Sequence, residues 1–416
     1  MKIGTNKIPN YIVNVLTVFL LFTFTSLNKI TWGRYAFLGI TAIIFVISAS
    51  TYCGGVKFSV QPFHIFLFAF AVYCGISSFW AVNPAMSISD FKTICSILIC
   101  YSVIYAHYQK ENSINVLFDI IKYSGLAVAL YTICFYGLDD MIISASDENL
   151  RLGNSFANVN NIGVVMAFTI IMIFKNFITK RNYKELLLMA PCIVVIAATQ
   201  SRKAMISATF GIFLMLIVIN EKNKNFYKRF FKFFCVIAIF VFCIYAISKF
   251  SAFVGMSERL QSMLDAFNGD KGADSSSLKR LNMIRYGINS FKQHPFFGIG
   301  IKNTYIITRR YWGVNTYLHN NYVELLAGGG IFGFTIYYSI YVYLIYNVIK
   351  YKNVDRENFG VFTVLLIIML VLDYGIVTYY SKLQYFYFMI MFLHIDLVKK
   401  RVECFSEDTK NPQSGI

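Results

Sequence analysis

The sequence predicts an all-α membrane protein, a polytopic bundle of about 12 transmembrane helices with one long, partly helical loop outside the membrane. Of its 416 residues, 57% are hydrophobic and only 14% are charged, and the mean hydropathy is +0.57. The apolar residues also fall into windows of about 17–25, the length that crosses a bilayer as a helix. These values exclude a soluble globular enzyme and a disordered protein.

Polar breaks mark the ends of the predicted spans, which cover residues 11–27, 35–52, 63–82, 91–106, 115–138, 159–178, 185–200, 203–220, 231–250, 320–349, 359–379 and 383–398. The first span has no small-residue cleavage pattern, so it is expected to be a retained helix. The predicted organisation is therefore helices one to nine in 1–250, an outer loop in 251–318, helices ten to twelve in 319–398 and a cytoplasmic tail in 399–416.

Lysine and arginine gather in the connections on one side of the predicted bundle. They occupy the breaks at 175–184, 222–229, 350–356 and 399–401, whereas 83–90 contains neither. Because basic short loops stay in the cytoplasm, both termini are predicted there and residues 251–318 outside. This topology also accounts for the net charge of +17, which in a soluble protein would suggest nucleic-acid binding.

The outer loop carries two predicted amphipathic helices. The first covers 257–267. The second follows a Gly/Asp/Ser-rich break. Its apolar residues recur at helical spacing along one face: Leu278, Leu281, Ile284, Ile288 and Phe291. A turn at 294–300 and an aromatic stretch follow. Lying over the membrane surface, these helices would form a lid or a substrate platform.

Nothing in the sequence predicts a metal or a cofactor. The nine cysteines show neither CxxC nor zinc-site spacing, and there is no DxD pair, P-loop or Ser-His-Asp pattern. The acidic residues of the outer loops are scattered. Any chemistry would therefore rest on arginines, one histidine and positioning.

Three arginines on the predicted outer side are candidate ligands of a phosphate group. Arg202 stands between two closely spaced spans, Arg151 opens the Asn-rich entry to another, and Arg280 lies on the second loop helix. Placing arginine near hydrocarbon is unfavourable unless the side chain reaches water or faces a cavity, so such an arginine is a functional candidate, and its planar donors fit phosphate. The alternatives are an interface anchor for Arg202 and solvated loop charges for the other two. Lys203 is expected to reach the lipid headgroups.

His319, in His319-Asn320-Asn321, is the candidate general base, since an imidazole can exchange a proton near neutral pH. The alternative is a histidine that merely ends a helix. Asn160 and Asn320 are candidate ligands of glycan hydroxyls, and capping of the following helix is the alternative for the asparagines before a span. The glycines at 328–333 would let helices pack closely.

Three blocks of this sequence resemble, in order, the bacterial O-antigen ligase and O-antigen polymerase superfamily. They are the Asn-rich entry 151–161, the Ser-Arg element in 200–204, and an outer-loop block from 277 through the Pro-Phe-Phe-Gly-Ile-Gly turn and the His-Asn pair to Gly333. The polymerase branch is described by an arginine and a glycine separated by ten residues. Gly163 follows Arg151 one residue too late for that pattern, so the branch stays open.

The resemblance implies a GT-C-like bundle that acts as a metal-independent, inverting glycosyltransferase, with no cofactor, at the outer face of the bacterial inner membrane. Arg151 and Arg202 would hold the diphosphate of an undecaprenyl-diphosphate-linked oligosaccharide, Arg280 would contribute from the loop, and His319 would lie near the acceptor hydroxyl. Membrane lipids and a chain-length regulator are the further partners considered, and nucleic acid is not one.

The function predicted first is a polymerase that joins lipid-linked repeat units of a surface polysaccharide, O-antigen or capsule. The alternative within the enzyme class is a ligase that moves the finished glycan onto lipid A–core in lipopolysaccharide synthesis. A flippase or other transporter is an alternative of another class. The long outer loop and the absence of an evident half-to-half repeat disfavour it.

Overall fold

Every regular element in the described residues is a helix, so the all-α prediction is confirmed for them. The computed structural model describes residues 7–27, 29–30, 33–51, 59–111, 114–146, 152, 155–219 and 275–410. The predicted span 231–250, the predicted loop helix 257–267 and Arg151 lie outside these residues.

The described helices are, in chain order, α1 (Lys7–Ser26), α2 (Gly33–Thr51), α3 (Pro62–Ile76), α4 (Pro84–Glu111), α5 (Ile114–Tyr136), α6 (Leu138–Ser146), α7 (Val159–Lys180), α8 (Lys184–Leu187), α9 (Met189–Thr199), α10 (Arg202–Val218), α11 (Ser275–Gln293), α12 (Tyr305–Trp312), α13 (Asn321–Tyr351), α14 (Arg356–Asp373) and α15 (Lys382–Lys410). Each predicted span within the described residues coincides with one or two of them.

Six of these helices are long and apolar enough to cross a membrane: α1, α3 with the 3-10 turn that follows it, α4, α5, α7 and α13. The chain is thus a membrane protein with several candidate spans. The total of about twelve spans stays a prediction. Helices in lipid associate through close packing, because lipid tails are as apolar as their side chains. Gly211 on α10 provides such a contact, since a Cβ there would meet Ile171 on α7 and Ile368 on α14.

A separate small apolar core joins α11 and α12 to the first turns of α13. The helix predicted in the second half of the outer loop is α11, but the face that packs differs from the predicted one. Met283 and Gly287 are buried, whereas Leu278 and Leu281 are each 46% exposed. The reason is tertiary: a Cβ on Gly287 would stand 2.5 Å from Val323 Cγ1, so the absence of a side chain lets α11 lie directly against α13.

α13 is broken inside its span at Gly330, where φ is 61° and ψ is −166°. The turn at 295–300 fits against this break. Its carbonyl oxygens at Pro295 and Phe296 accept hydrogen bonds from the amides of Ile331 (2.8 Å) and Phe332 (3.3 Å). Backbone polar groups inside a bilayer must be satisfied by protein, so the turn replaces the missing helical hydrogen bonds. The glycines therefore do more than permit close packing: they open the helix to receive the turn.

The bundle has two polar ends. At one of them, the site end, α7, α10 and α13 begin and α14 ends. A Cβ at Gly163, in the second turn of α7, would stand 2.9 Å from the Cβ atoms of Ser201 and Ala204 at the start of α10. The start of α13 is joined to the end of α14 by the Asn320 amide, whose Nδ2 donates to the Tyr374 carbonyl oxygen over 3.1 Å.

The basic connections within the described residues, 175–184, 350–356 and 399–401, lie at the opposite end. α7 has 22 residues and is therefore about 33 Å long, which places Lys180 a bilayer's thickness from the site end. Ion pairs between Lys175 and Glu357 (3.3 Å) and between Lys122 and Glu185 (3.2 Å) mark that end. The loop before α14 belongs to it as well.

Candidate active site

His319 has a left-handed backbone conformation, with φ at 58°, just before α13. Such a conformation costs a non-glycine residue about 1–3 kcal/mol and persists only where its surroundings fix it. Both neighbours are fixed. The amide of Leu318 donates to Glu324 Oε2 over 2.8 Å, and Asn320 caps α13 by accepting from the Val323 amide over 3.0 Å.

The imidazole of His319 is half-buried and packs against the ring of Tyr317, with the ring centroids 4.4 Å apart. Burial, and then the positive charges of Arg280 and Lys203, lower its pKa to about 4. At neutral pH the imidazole is therefore uncharged, with one nitrogen able to accept a proton. Burial raises the pKa of the Tyr317 phenol while Arg280 opposes that change, so the phenol stays protonated at neutral pH.

Arg280 reaches this place because α11 crosses the start of α13 at Gly287, about two turns further along the same helix. The sequence predicted Arg280 and His319 as parts of one site, and the structure brings them together at the site end. Their electrostatic coupling, together with that of Lys203, makes the surroundings of His319 positive. An anion would be favoured there.

Lys203 is the functional candidate that the sequence reasoning missed, since it was expected to reach the lipid headgroups. Its Nζ instead donates to the carbonyl oxygen of Gly375, beside the end of α14, and its charge acts on His319. Arg202, one residue earlier, is half-buried at the same end of the bundle. Successive residues of a helix point about 100° apart, so the two side chains leave α10 in different directions.

The start of α10 is held by a hydrogen bond to α6. Gln200 has a left-handed conformation, with φ at 47°, and its Nε2 donates to the Ser144 carbonyl oxygen over 2.5 Å. Asn160 comes to the same end because α7 and α10 begin side by side. Its own backbone amide donates to Asn158 Oδ1, the cap of α7, over 2.9 Å.

Asn320 is buried, at 3% exposure, and both groups of its amide are used within the protein, on Val323 and on Tyr374. The role that the structure gives it is a helix cap that joins two elements. A remaining lone pair on Oδ1 is the part of the side chain left for a ligand.

Asn321 and Asp373 are two further polar residues that the sequence reasoning did not select, and both are fully buried. The Nδ2 of Asn321 donates to Asp373 Oδ2 (3.2 Å), and its Oδ1 accepts from the amides of Thr378 (2.9 Å) and Tyr379 (3.1 Å). A signal was present for Asp373: an acidic residue inside a predicted span, 359–379, is a functional candidate by default.

The described residues contain no group of three or more His, Cys, Asp or Glu side chains that could hold a metal ion. The buried carboxylates near the site have protein partners instead. Asp90 pairs with Lys302 at 2.7 Å, and Glu324 accepts from Thr304 and from the Leu318 amide. The site therefore offers cations and a neutral base, an arrangement suited to binding an anion beside a hydroxyl that loses its proton.

Comparison with known proteins agrees with the resemblance. Residues 187–338 match the family model described as O-antigen ligase. This segment runs from α8 into α13 and contains Arg202, Lys203, Arg280 and His319. No curated protein matches the chain. The match over residues 187–338 is consistent with membership of the O-antigen ligase and polymerase superfamily, as the resemblance predicted.

Proposed function

We propose that the chain is a polymerase that joins undecaprenyl-diphosphate-linked repeat units of a surface polysaccharide, O-antigen or capsule. The observation that best supports glycosyl transfer from a lipid diphosphate is the neutral imidazole of His319, on which the positive charges of Arg280 and Lys203 act, inside the matched segment. Membrane synthesis of polysaccharide is what the family match supports, and the finer assignment is the proposal.

The cations would act on the leaving group. As the bond between the anomeric carbon and the diphosphate oxygen breaks, negative charge grows on the diphosphate, and fixed cations in a poorly hydrated site stabilise it. Arg202 and Arg151 are the proposed bidentate ligands. Arg280 and Lys203 would complete the site from α11 and α10. No nucleotide is needed, because the lipid diphosphate is already activated.

His319 would act on the acceptor. Its free nitrogen would take the proton of the acceptor hydroxyl as that oxygen bonds to the anomeric carbon from the face opposite the diphosphate, which inverts the configuration. A bound diphosphate would offset the charges of Arg280 and Lys203, so the pKa of His319 should rise towards its ordinary value of about 6.5. Binding of the donor would thus make His319 a better base.

Asn160 and Asn320 are the proposed contacts to glycan hydroxyls. Asn160 is half-buried in the first turn of α7, at the site end. Asn320 would use only the spare lone pair of its Oδ1, since its amide already holds Val323 and Tyr374. In the proposed topology this end faces outward from the inner membrane, both termini are cytoplasmic, and a chain-length regulator is a further partner.

A ligase that transfers the finished glycan to lipid A–core is the second candidate, because the matching family is described as O-antigen ligase. Both reactions use the same donor and differ in the acceptor. The residues around His319 serve either equally well.

A gel of surface glycans from a strain without this gene separates the two, when probed for lipid A-linked and undecaprenyl-linked material. A ladder reduced to core plus one repeat is the expected result and supports the polymerase. Bare core with long polymer left on the carrier lipid would favour the ligase. An unchanged ladder would contradict both assignments for the glycan tested.

A further inference from the structure

The linker between α14 and α15 contacts both sides of the candidate site, although it lies outside the matched segment 187–338. The carbonyl oxygen of Gly375 accepts from Lys203, and that of Tyr374 accepts from the Asn320 amide. The amides of Thr378 and Tyr379 donate to Asn321. One short segment therefore fixes both the cation on α10 and the two residues that follow His319.

Asp373 fixes this linker in turn. Its buried carboxylate accepts from four neutral donors: Thr378 Oγ1 (2.5 Å), Tyr338 OH (3.0 Å), Tyr341 OH (3.2 Å) and Asn321 Nδ2 (3.2 Å). A carboxylate removed from water is unfavourable unless such donors surround it. Losing one of them would therefore disturb the whole set.

We propose that Asn321, Asp373 and the linker 374–379 form a positioning clamp that holds the left-handed His319 at the place where the same linker binds Lys203. The clamp rests on the proposed role of His319 as the base. The backbone of His319 is strained, and strain at a candidate site persists only where the surroundings over-determine it. Asn321 supplies that constraint two residues away, with all four of its hydrogen bonds made inside the protein. Its amide touches no site group directly, so its action is indirect.

The clamp can be tested by exchanging its two partners. Asn321→Asp places two carboxylates together at Asp373 Oδ2, and repulsion should release the turn that holds His319. Adding Asp373→Asn restores one carboxylate and one amide, so the double variant should recover. A matched control is Asn176→Asp, because Asn176 donates to Asp119 over 3.0 Å at the opposite end of the bundle.

The readout is the titration of His319, followed by NMR on histidine-labelled protein in nanodiscs and assigned with His319→Asn. The charged groups that lower its pKa are Arg280 on α11 and Lys203 on α10, and the ring of Tyr317 packs against it. Glu324 accepts from the adjacent Leu318 amide, and Asp373 accepts from Asn321, two residues from His319. Asn321→Asp should raise its pKa from about 4 towards about 6.5 as the imidazole leaves the cations, and the double variant should lower it again. Asn176→Asp should leave it unchanged.

Turnover gives a second readout: Asn321→Asp should lower kcat about tenfold or more with little change in KM, and the exchange should restore most of it. If Asn321→Asp does not accumulate, Thr378→Val removes only one donor to Asp373 and should shift the titration part of the way. An unshifted titration in a folded variant would overturn the clamp. A failed restoration by a folded double variant would do so too. The titration needs no glycan, so the clamp can fail while the glycosyl-transfer proposal stands, and the reverse.

Discussion

His319 takes its chemical character from its neighbours. An isolated imidazole is half-protonated at pH about 6.5, whereas burial, Arg280 and Lys203 lower the pKa of this one to about 4. A base with a lowered pKa stays neutral, and active, down to that lower pH. We therefore expect the acid limb of kcat/KM, which reports the free enzyme, to lie near pH 4.

The acid limb of kcat should lie higher, because a bound diphosphate offsets the two cations. Arg280→Gln should raise the kcat/KM limb, since it removes one of the charges that lower the pKa of His319. Measuring both profiles on purified wild type and variant checks this. An acid limb of kcat/KM near 6.5 in the wild type, or no change in the variant, would contradict the described surroundings of His319.

The substitution Arg202→Lys distinguishes the effect of positive charge from the effect of the planar arrangement of donors. If its guanidinium binds the diphosphate with two parallel hydrogen bonds, Arg202→Lys should lose most activity at normal abundance, because an ammonium group cannot replace the planar fork. The surface-glycan ladder and a membrane immunoblot, taken from the same cells, give the two quantities. Wild-type ladders in Arg202→Lys would remove Arg202 from the proposed ligands.

Part of the site could be predicted from individual residues of the sequence. Arg280 and His319 were recognisable as an arginine and a histidine in unexpected places, and the structure brings them together. Lys203 was misjudged because adjacent residues of a helix face different ways, and only the position of Gly375 shows which way this side chain points. Asn321 was passed over because three of its four hydrogen-bond partners are more than fifty residues away along the chain.

Among the helices, the broken helix α13 restricts which residue its sequence can contain most strongly. Gly330 has φ at 61° and ψ at −166°, a region open only to glycine, and a Cβ there would overlap the Phe296 carbonyl. Gly330→Ala should therefore lower stability by about 3 kcal/mol or more, through the strained backbone and the displaced turn at 295–300.

Membrane abundance and the thermal midpoint of the purified protein measure that loss. Gly39→Ala on α2 is the matched control, since a Cβ there meets nothing within 4 Å, and it should be neutral or slightly stabilising. Equal effects of the two substitutions would mean that α13 is not broken as described.

The helices themselves were largely predictable, because an apolar window of bilayer length has few alternatives. The packing of α11 was not. Its spacing of leucine and isoleucine indicated one face, but Gly287 allows a closer approach on another, and the burial of Met283 follows from that contact. The glycine break was hidden too, because the turn that fills it lies some thirty residues earlier in the chain.

At the level of the whole molecule, the candidate site and the described basic connections lie at opposite ends of the bundle. The site draws on the start of α10, on α11, on the turn before α13 and on the linker after α14, so it forms only when these elements assemble. Charge patterning indicated this separation from the sequence. The contribution of the linker, beyond the matched domain, emerged from tertiary contacts alone.

The most direct test of the proposed chemistry is transfer by the purified chain in nanodiscs, supplied with an undecaprenyl-diphosphate-linked oligosaccharide. Wild type should release undecaprenyl diphosphate and form a longer lipid-linked glycan. His319→Asn, which keeps a residue tolerant of the left-handed conformation, should slow that release about a hundredfold or more at unchanged folding. Release at the wild-type rate by folded His319→Asn would contradict the assignment of His319 as the base and, with it, the central claim.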